Sequence, residues 1–458
     1  MITATTEPVR LPPRSRLPKL VQAVKFGVAN HGMFAAVGRR YGSNVISVNL
    51  PRNDHAVVIS DPVLAKELFK TSTDLLERPT WGAGTLGEIF GPGSTFSLAG
   101  DELLAQRKIV LPMFHGKRMR SYEHIIEEEV MREIEAWPEG REFETLEAMT
   151  RIALNSILRA VFGAEGPALN KLRDVVLPMV PLGGWNLVLP PWTRRDLGPW
   201  SPWGRYLRYR RRFDDIVDSL IADARADPAF EERSDVLSLL LQARYENGEP
   251  LTERRIADEM LTLLASGHET TASSLAWAVE RLTRHPQLLS RLVEEVDAGG
   301  SDLRQATIEE VLRIRPVLDG AMRRTKTRIR LRDWVIPENT NLIISIRLTQ
   351  SAPESFPDAE SFNPDRFVGA PKPIAWIPFG GGLNRCVGAA FAHMEMDVAL
   401  RTLLRELRFE PTDAPAERGR WRGVATVPAK GARAVAHRRT ARAARGADPA
   451  PVASRGSG

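Results

Sequence analysis

Phe379-Gly-Gly-Gly-Leu-Asn-Arg-Cys386-Val-Gly388 holds the only cysteine in a chain of 458 residues. A lone thiol cannot close an internal disulfide, so its uses are packing, reactivity or metal ligation. Buried free cysteine is ordinarily a small hydrophobe. This one follows three consecutive glycines, which make a poor core and a good close-approach loop. Arg385 beside it favours the thiolate, the form that binds metal. Gly388 opens the amphipathic run 389–400, with apolar residues at helical spacing. The thiol therefore precedes a helix N-terminus, where the dipole and free N–H groups stabilise negative sulfur.

Three further motifs precede this loop. Glu310 and Arg313, in Glu-Val-Leu-Arg, share a helix face and can pair. Alone, such a pair is an ordinary exposed one worth ~0.2–0.5 kcal/mol. Phe362-Asn-Pro-Asp-Arg366-Phe367 is a loop sequence carrying another arginine. Ser266-Gly-His-Glu-Thr-Thr271 lies within a helical pattern over residues 252–285, stopped by Pro286. That helix is apolar on its main face and on both flanks, so it reads as a core helix in which a polar patch is costly without a use. On the residues alone, the threonines can instead bond carbonyls four residues back and bend the helix. His268 reads best as a packed or solvent-linked histidine.

Taken in order, these motifs resemble the cytochrome P450 family, the haem-thiolate monooxygenases. Phe379, Gly382, Cys386 and Gly388 match its cysteine loop, whereas Asn384 stands where a basic residue is usual. The resemblance implies a mostly α chain with a small β-sheet region (α+β), a single haem-binding domain over residues 18–435, and haem b with Cys386 as axial thiolate. It implies that Glu310, Arg313 and Arg366 form a buried triad under the loop. Gly267, Glu269 and Thr270 fall on the helix over the haem: Gly267 for close approach of oxygen or substrate, Glu269 and Thr270 for proton delivery. Arg107 and Arg323 match propionate-binding arginines, and Phe379, Asn384, Arg385 and Gly388 surround the cofactor. Leu103 and Asn384 replace two usual propionate donors, with Arg324 and Arg385 as candidate substitutes, so Asn384→Arg is expected to slow haem loss.

Helical patterns cover 122–137, 206–226, 286–296 and 386–407, and strand-like runs 45–50, 55–60, 328–334 and 341–346. The whole formal excess of +6 sits in residues 430–458. Residues 436–458 have almost nothing to bury and read as a disordered basic tail. Specific nucleic-acid binding is not expected, and residues 1–17 read as a flexible segment. No run of eighteen apolar residues exists, and the first nineteen residues lack a signal peptide's apolar core, so a cytoplasmic setting without a transmembrane segment is expected.

The function expected is insertion of one oxygen atom from O2 into a small, mostly apolar substrate. Electrons would come from a ferredoxin and its reductase, since no flavin or nicotinamide fingerprint is visible. Lys108, Lys117, Arg118 and Arg120 form a basic cluster suited to an acidic donor. Rival readings are a haem-thiolate peroxygenase or isomerase, and a non-catalytic haem-based sensor. Candidate substrate walls are residues 77–100, 178–203, 317–322 and 423–427. Trp185, Trp192, Trp200 and Trp203 crowd the second, and Asp319 is a polar residue in the third.

Overall fold

The computed structural model describes residues 2–50, 53–79, 86–116, 119–163, 165–189, 191–422 and 425–439. Its main helices are α1 (Lys19–Tyr41), α2 (Pro62–Lys70), α3 (Gly100–Val110), α4 (Met119–Glu135), α5 (Thr145–Phe162), α6 (Gly166–Val188), α7 (Pro202–Ala226), α8 (Val236–Gln242), α9 (Glu253–Leu282), α10 (Pro286–Asp297), α11 (Asp302–Ile314) and α12 (Ala389–Glu406). Thr252 caps α9 by accepting from the Arg255 N–H at 3.2 Å. Met260, Leu264 and Leu275 of α9 are buried with Leu154, Ile157 and Val161 of α5, along which α9 packs. Each fully buried leucine contributes roughly 1.5–3 kcal/mol, and this helix pair forms the spine of the molecule. Helix α12 joins it from the other side, packing on α4 and α9.

The larger sheet has the order β2 (Val45–Leu50), β3 (Asn53–Ile59), β9 (Asn341–Ser345), β6 (Gly320–Thr325), β4 (Leu76–Glu77). Only β3 and β9 run parallel; the other neighbours are antiparallel. Its last pairing matters for function. Glu77 stands opposite Arg324, so the next residue, Arg78, leaves the sheet beside Arg323.

Three expectations change. The strand-like run at 328–334 is two short strands, β7 (Ile329–Leu331) and β8 (Trp334–Ile336), because Arg332 turns the chain at φ 54°. Residues 1–17, expected to be flexible, are laid along this sheet from residue 3. β1 (Thr3–Ala4) pairs with β7, Arg10 exchanges backbone bonds with Val335, and Ser47 donates to Pro13 at 2.8 Å. The segment is tied by backbone pairing that its composition does not reveal. At the other end, the domain runs past residue 435. β14 (Ala436–Arg438) pairs with β10 (Leu407–Phe409), and Arg438 bonds Glu139 and the end of α4. The rest of the basic tail, residues 440–458, lies outside the described residues. Among the described residues, no helix is long and apolar enough to cross a membrane.

Candidate functional site

The cysteine loop is a tight turn whose Cys386 N–H donates to the Phe379 carbonyl at 3.0 Å. The protein itself requires glycine at part of this turn. Gly382 has φ 62°, and a Cβ there would sit 1.7 Å from the Phe69 carbonyl oxygen of α2. Phe379 packs below, against Trp376 and His393. Gly388 caps α12 and directs its backbone N–H at the Cys386 sulfur. Solvent reaches Cys386 although protein surrounds it closely. Burial pushes the thiol above its ordinary value, against the Gly388 N–H and the charges of Arg107 and Arg385. The sequence reading gave Arg385 more weight; its side chain is exposed, so burial outweighs it.

Under the loop, the structure brings Glu310, Arg313 and Arg366 together. Arg313 donates to Glu310 through Nε and Nη2 at 2.6 and 2.8 Å, with both side chains fully buried. Arg366 Nε lies 3.3 Å from Glu310 Oε1. Remaining donors go to the carbonyls of Gln350, Ser361 and Pro357, and the Asn363 N–H donates to Glu310. Gln350, absent from the sequence reading, extends the network: its amide donates to Leu312 and Arg313, and its Oε1 accepts from the Ile377 N–H at 3.0 Å. It connects the ion pairs to the chain leading into the cysteine loop, and a lone glutamine carries no local signal of that role.

The polar patch of α9 interrupts its buried run. Ala265, Ser266, Gly267, Glu269 and Thr270 are half-buried in a helix whose neighbouring turns are buried. Thr270 donates its hydroxyl to the Ser266 carbonyl at 2.7 Å, the back-bonding that the residues alone allowed. Its oxygen lone pairs stay available as acceptors. Burial pushes the Glu269 carboxyl up, and Arg422, 3.3 Å away on β11 (Gly419–Arg422), pulls it down. His268 is buried, bonded to the Leu264 carbonyl, and pushed down to about 4, so it is a packed neutral histidine. Gly267 also faces α5: a Cβ there would come within 3.2 Å of the Ile157 side chain, which would have to shift slightly. Another residue absent from the sequence reading is an acid. Glu395 of α12 is wholly buried opposite the Thr271 hydroxyl, and burial pushes it up to about 8.

On the sheet side, Arg107 of α3, Arg323 of β6 and Arg78 converge. Burial and the charges of Arg323 and Arg107 pull Arg78 down to about 10, and burial does the same to Arg323. Burial also lowers Arg107, against the opposing charges of Cys386 and Glu259. Asn384 Oδ1 accepts from Arg78 Nε at 2.7 Å. Among the described residues, none of the three has a carboxylate within salt-bridge distance, and the buried Glu259 is engaged by Thr95. Such a cluster calls for an anionic ligand with several carboxylate oxygens. Arg324, a candidate substitute, turns away to Asn339.

The candidate walls are less uniform than the sequence implied. Trp192 and Trp200 are 71% and 92% exposed, and Trp203 stacks on Tyr206. The Trp185 side chain, residues 80–85 and residues 423–424 lie outside the description. Asp319 accepts from Thr426 at 3.4 Å and lies 3.7 Å from Arg347, so it is engaged within the protein.

The sequence profile of the Cytochrome P450 family matches residues 11–432. Putative cytochrome P450 138 of Mycobacterium tuberculosis is 48% identical over 443 residues, covering 96% of this chain and 99% of that protein. Putative cytochrome P450 135B1 of the same species is 35% identical over 441 residues, covering 93% and 92%. The fold is also that of a retinoic acid-bound cyanobacterial CYP120A1, with TM-score 0.80, 22% identity and coverage of 94% and 100%. A cytochrome P450DA heme domain aligns with TM-score 0.81 at 19% identity, covering 94% and 98%. A single thiol on a braced loop, a cluster of arginines near it and this match over nearly the whole chain lead to one assignment: the chain belongs to the cytochrome P450 family, haem-dependent monooxygenases with a cysteine thiolate on the iron.

Proposed function

We propose that this chain inserts one oxygen atom from O2 into a small, mostly apolar substrate, with Cys386 holding the haem iron and electrons supplied by a separate ferredoxin system. The observation that supports the reading most is a solvent-reached Cys386 with a backbone N–H on its sulfur and the charge of Arg107 acting on it. The donor set fits the cofactor. A thiol with a backbone N–H on its sulfur suits a thiolate ligand, and the arginine cluster suits two propionates. Once bound, the haem supplies oxygen activation and atom transfer, which the thiolate promotes by donating electron density.

The protein's own share is proton handling and exclusion. Thr270, its proton committed to Ser266, offers an acceptor. Glu269 is balanced between burial and Arg422, so it can hold a proton at its carboxyl and release it inward. Two acids near the candidate walls are engaged within the protein, Asp258 with the Gly93 N–H and Arg210 and Glu259 with Thr95, which supports a mostly apolar substrate. For the electron donor, Arg120 is exposed, while Lys108 is paired with Glu246 at 2.6 Å. Lys117 and Arg118 lie outside the described residues.

Cys386→Ala should abolish the thiolate-type spectrum of the reduced carbon monoxide complex while leaving the far-ultraviolet circular dichroism intact. An unchanged carbon monoxide spectrum would overturn the ligand assignment.

A further inference from the structure

One further under-partnered cation stands apart from the cysteine loop. Arg315 follows the last turn of α11, two residues beyond Arg313. Its guanidinium lies over the Trp277 ring of α9, 5.1 Å from the centroid. Among the described residues its one hydrogen bond runs from Nη1 to the neighbouring Ile314 carbonyl at 3.2 Å, and its buried Nε has none. No carboxylate among them lies within salt-bridge distance. Burial pulls Arg315 down to about 10, helped by Arg281 and Arg347 and opposed from farther off by Glu280 and Glu360. The same residue lines a groove of about 580 Å³ between α1, strands β2 and β3, and residues 347–360. Small-molecule sites span ~300–1,000 Å³. The groove is on the α1 side of the larger sheet. Met322 of β6 packs into the core on that side, so Arg323, next along the strand, points to the other face. None of the haem-site residues described above lines the groove.

We propose that this groove is a second ligand site, for an organic monoanion whose carboxylate is taken by Arg315 and whose apolar body lies along α1 and the sheet. The site is separate from the haem reading and does not rest on it. Its floor is apolar: Phe34 and Ala35 of α1, Ile46 of β2, Val58 of β3, and Leu348. The hydroxyl protons of Ser43, Ser60 and Ser351 are committed to the carbonyls of Val45, Asn44 and Arg347. Arg347 itself faces Asp319 at 3.7 Å. Arg315 is therefore the inner cation with donors to spare, and its planar fork can meet a carboxylate through two parallel bonds. Stacking on Trp277 holds that fork in one plane. An arriving carboxylate would satisfy a half-buried charge that the chain leaves open. Glu354 and Glu360, both exposed, line the same groove and oppose a second negative charge on the ligand.

The test is calorimetric titration of the haem-loaded protein with octanoate, its iron saturated by 4-phenylimidazole so that the haem pocket is already filled. Octanoate should bind saturably at one equivalent. Octanol, which lacks the charge, and octanedioate, which carries two, should each bind about tenfold more weakly, the scale of one charge-assisted hydrogen bond. Arg315→Gln should weaken octanoate about tenfold and change octanol less than about twofold. Ala35→Trp fills the groove from α1 while leaving Arg315 in place, and should abolish octanoate binding. Absence of saturable octanoate binding to the wild-type protein overturns the proposal. So does octanol or octanedioate binding as tightly as octanoate, and so does wild-type octanoate affinity in Arg315→Gln. Should Arg315→Gln fail to fold, Ala35→Trp decides: unchanged octanoate affinity there would place the anion outside the groove and overturn the proposal.

Discussion

Two clusters of buried charge flank the cysteine loop, and they are built on opposite terms. Below it, Glu310 is shared by Arg313 and Arg366, and carbonyls take up further guanidinium donors. Beside it, Arg78, Arg107 and Arg323 gather with no carboxylate at salt-bridge distance among the described residues, Glu259 acting on Arg78 and Arg107 only from farther off. Burying charge is costly in both places. The first cluster recovers that cost within the chain and so can serve as scaffold. The second recovers it only when an anion arrives, so it marks where a ligand belongs. Satisfaction of charge, more than burial, separates the two roles.

The comparison breaks most easily at Glu310. Glu310→Gln keeps the shape but strands two buried guanidiniums, and should cost ~3–5 kcal/mol. Urea denaturation of the haem-loaded protein would read it; a loss below ~1 kcal/mol would show that the lower cluster is not a scaffold.

Arg323→Ala should behave in the opposite way. Haem loss should quicken about tenfold, while the haem-free chain holds or gains stability, because a desolvated, repelled cation has gone. A fall in haem-free stability matching that of Glu310→Gln would erase the distinction.

Glu395 offers an intermediate case, a buried acid with one hydroxyl neighbour. An unfolded glutamate titrates near 4.5 and the folded one near 8. Between these values the folded chain holds one more proton, so stability falls as pH rises through the window. Glu395→Gln removes that dependence. Its midpoint relative to wild type should climb from about pH 5 to about pH 8 and then level off; a constant difference would mean the acid is ionised in the fold.

The smallest effect is expected at the C-terminus. Ending the chain after Arg439 should leave the melting temperature unchanged, since residues 440–458 have little to bury. Ending it after residue 435 removes β14 and the bonds of Arg438 and Arg439 to Glu139, Leu404 and Asp297. That should cost ~2–4 kcal/mol, at ~0.5–1.5 per hydrogen bond.

Much was legible in the chain because it is written locally. The lone cysteine, the three glycines and the apolar period after Gly388 occupy one short stretch. Helical periodicity located α9, α10 and α12 to within a few residues, since a face repeats every three or four positions. The pairing of Glu310 with Arg313 follows from their spacing on one helix. What stayed hidden depended on partners far apart in sequence. Nothing near Arg78 points to Asn384, nothing near Gln350 points to Ile377, and the N-terminal residues look unanchored until β7 is placed beside them. The tight fit of Gly267 against Ile157 is likewise visible only once α5 and α9 are side by side. The sequence by itself determined the thiol, the helices and the family; the tertiary structure decided which charges are satisfied. The physical reason is that periodicity and capping act over a few residues, whereas the energy of a buried charge depends on every group that folding brings within a few ångströms of it.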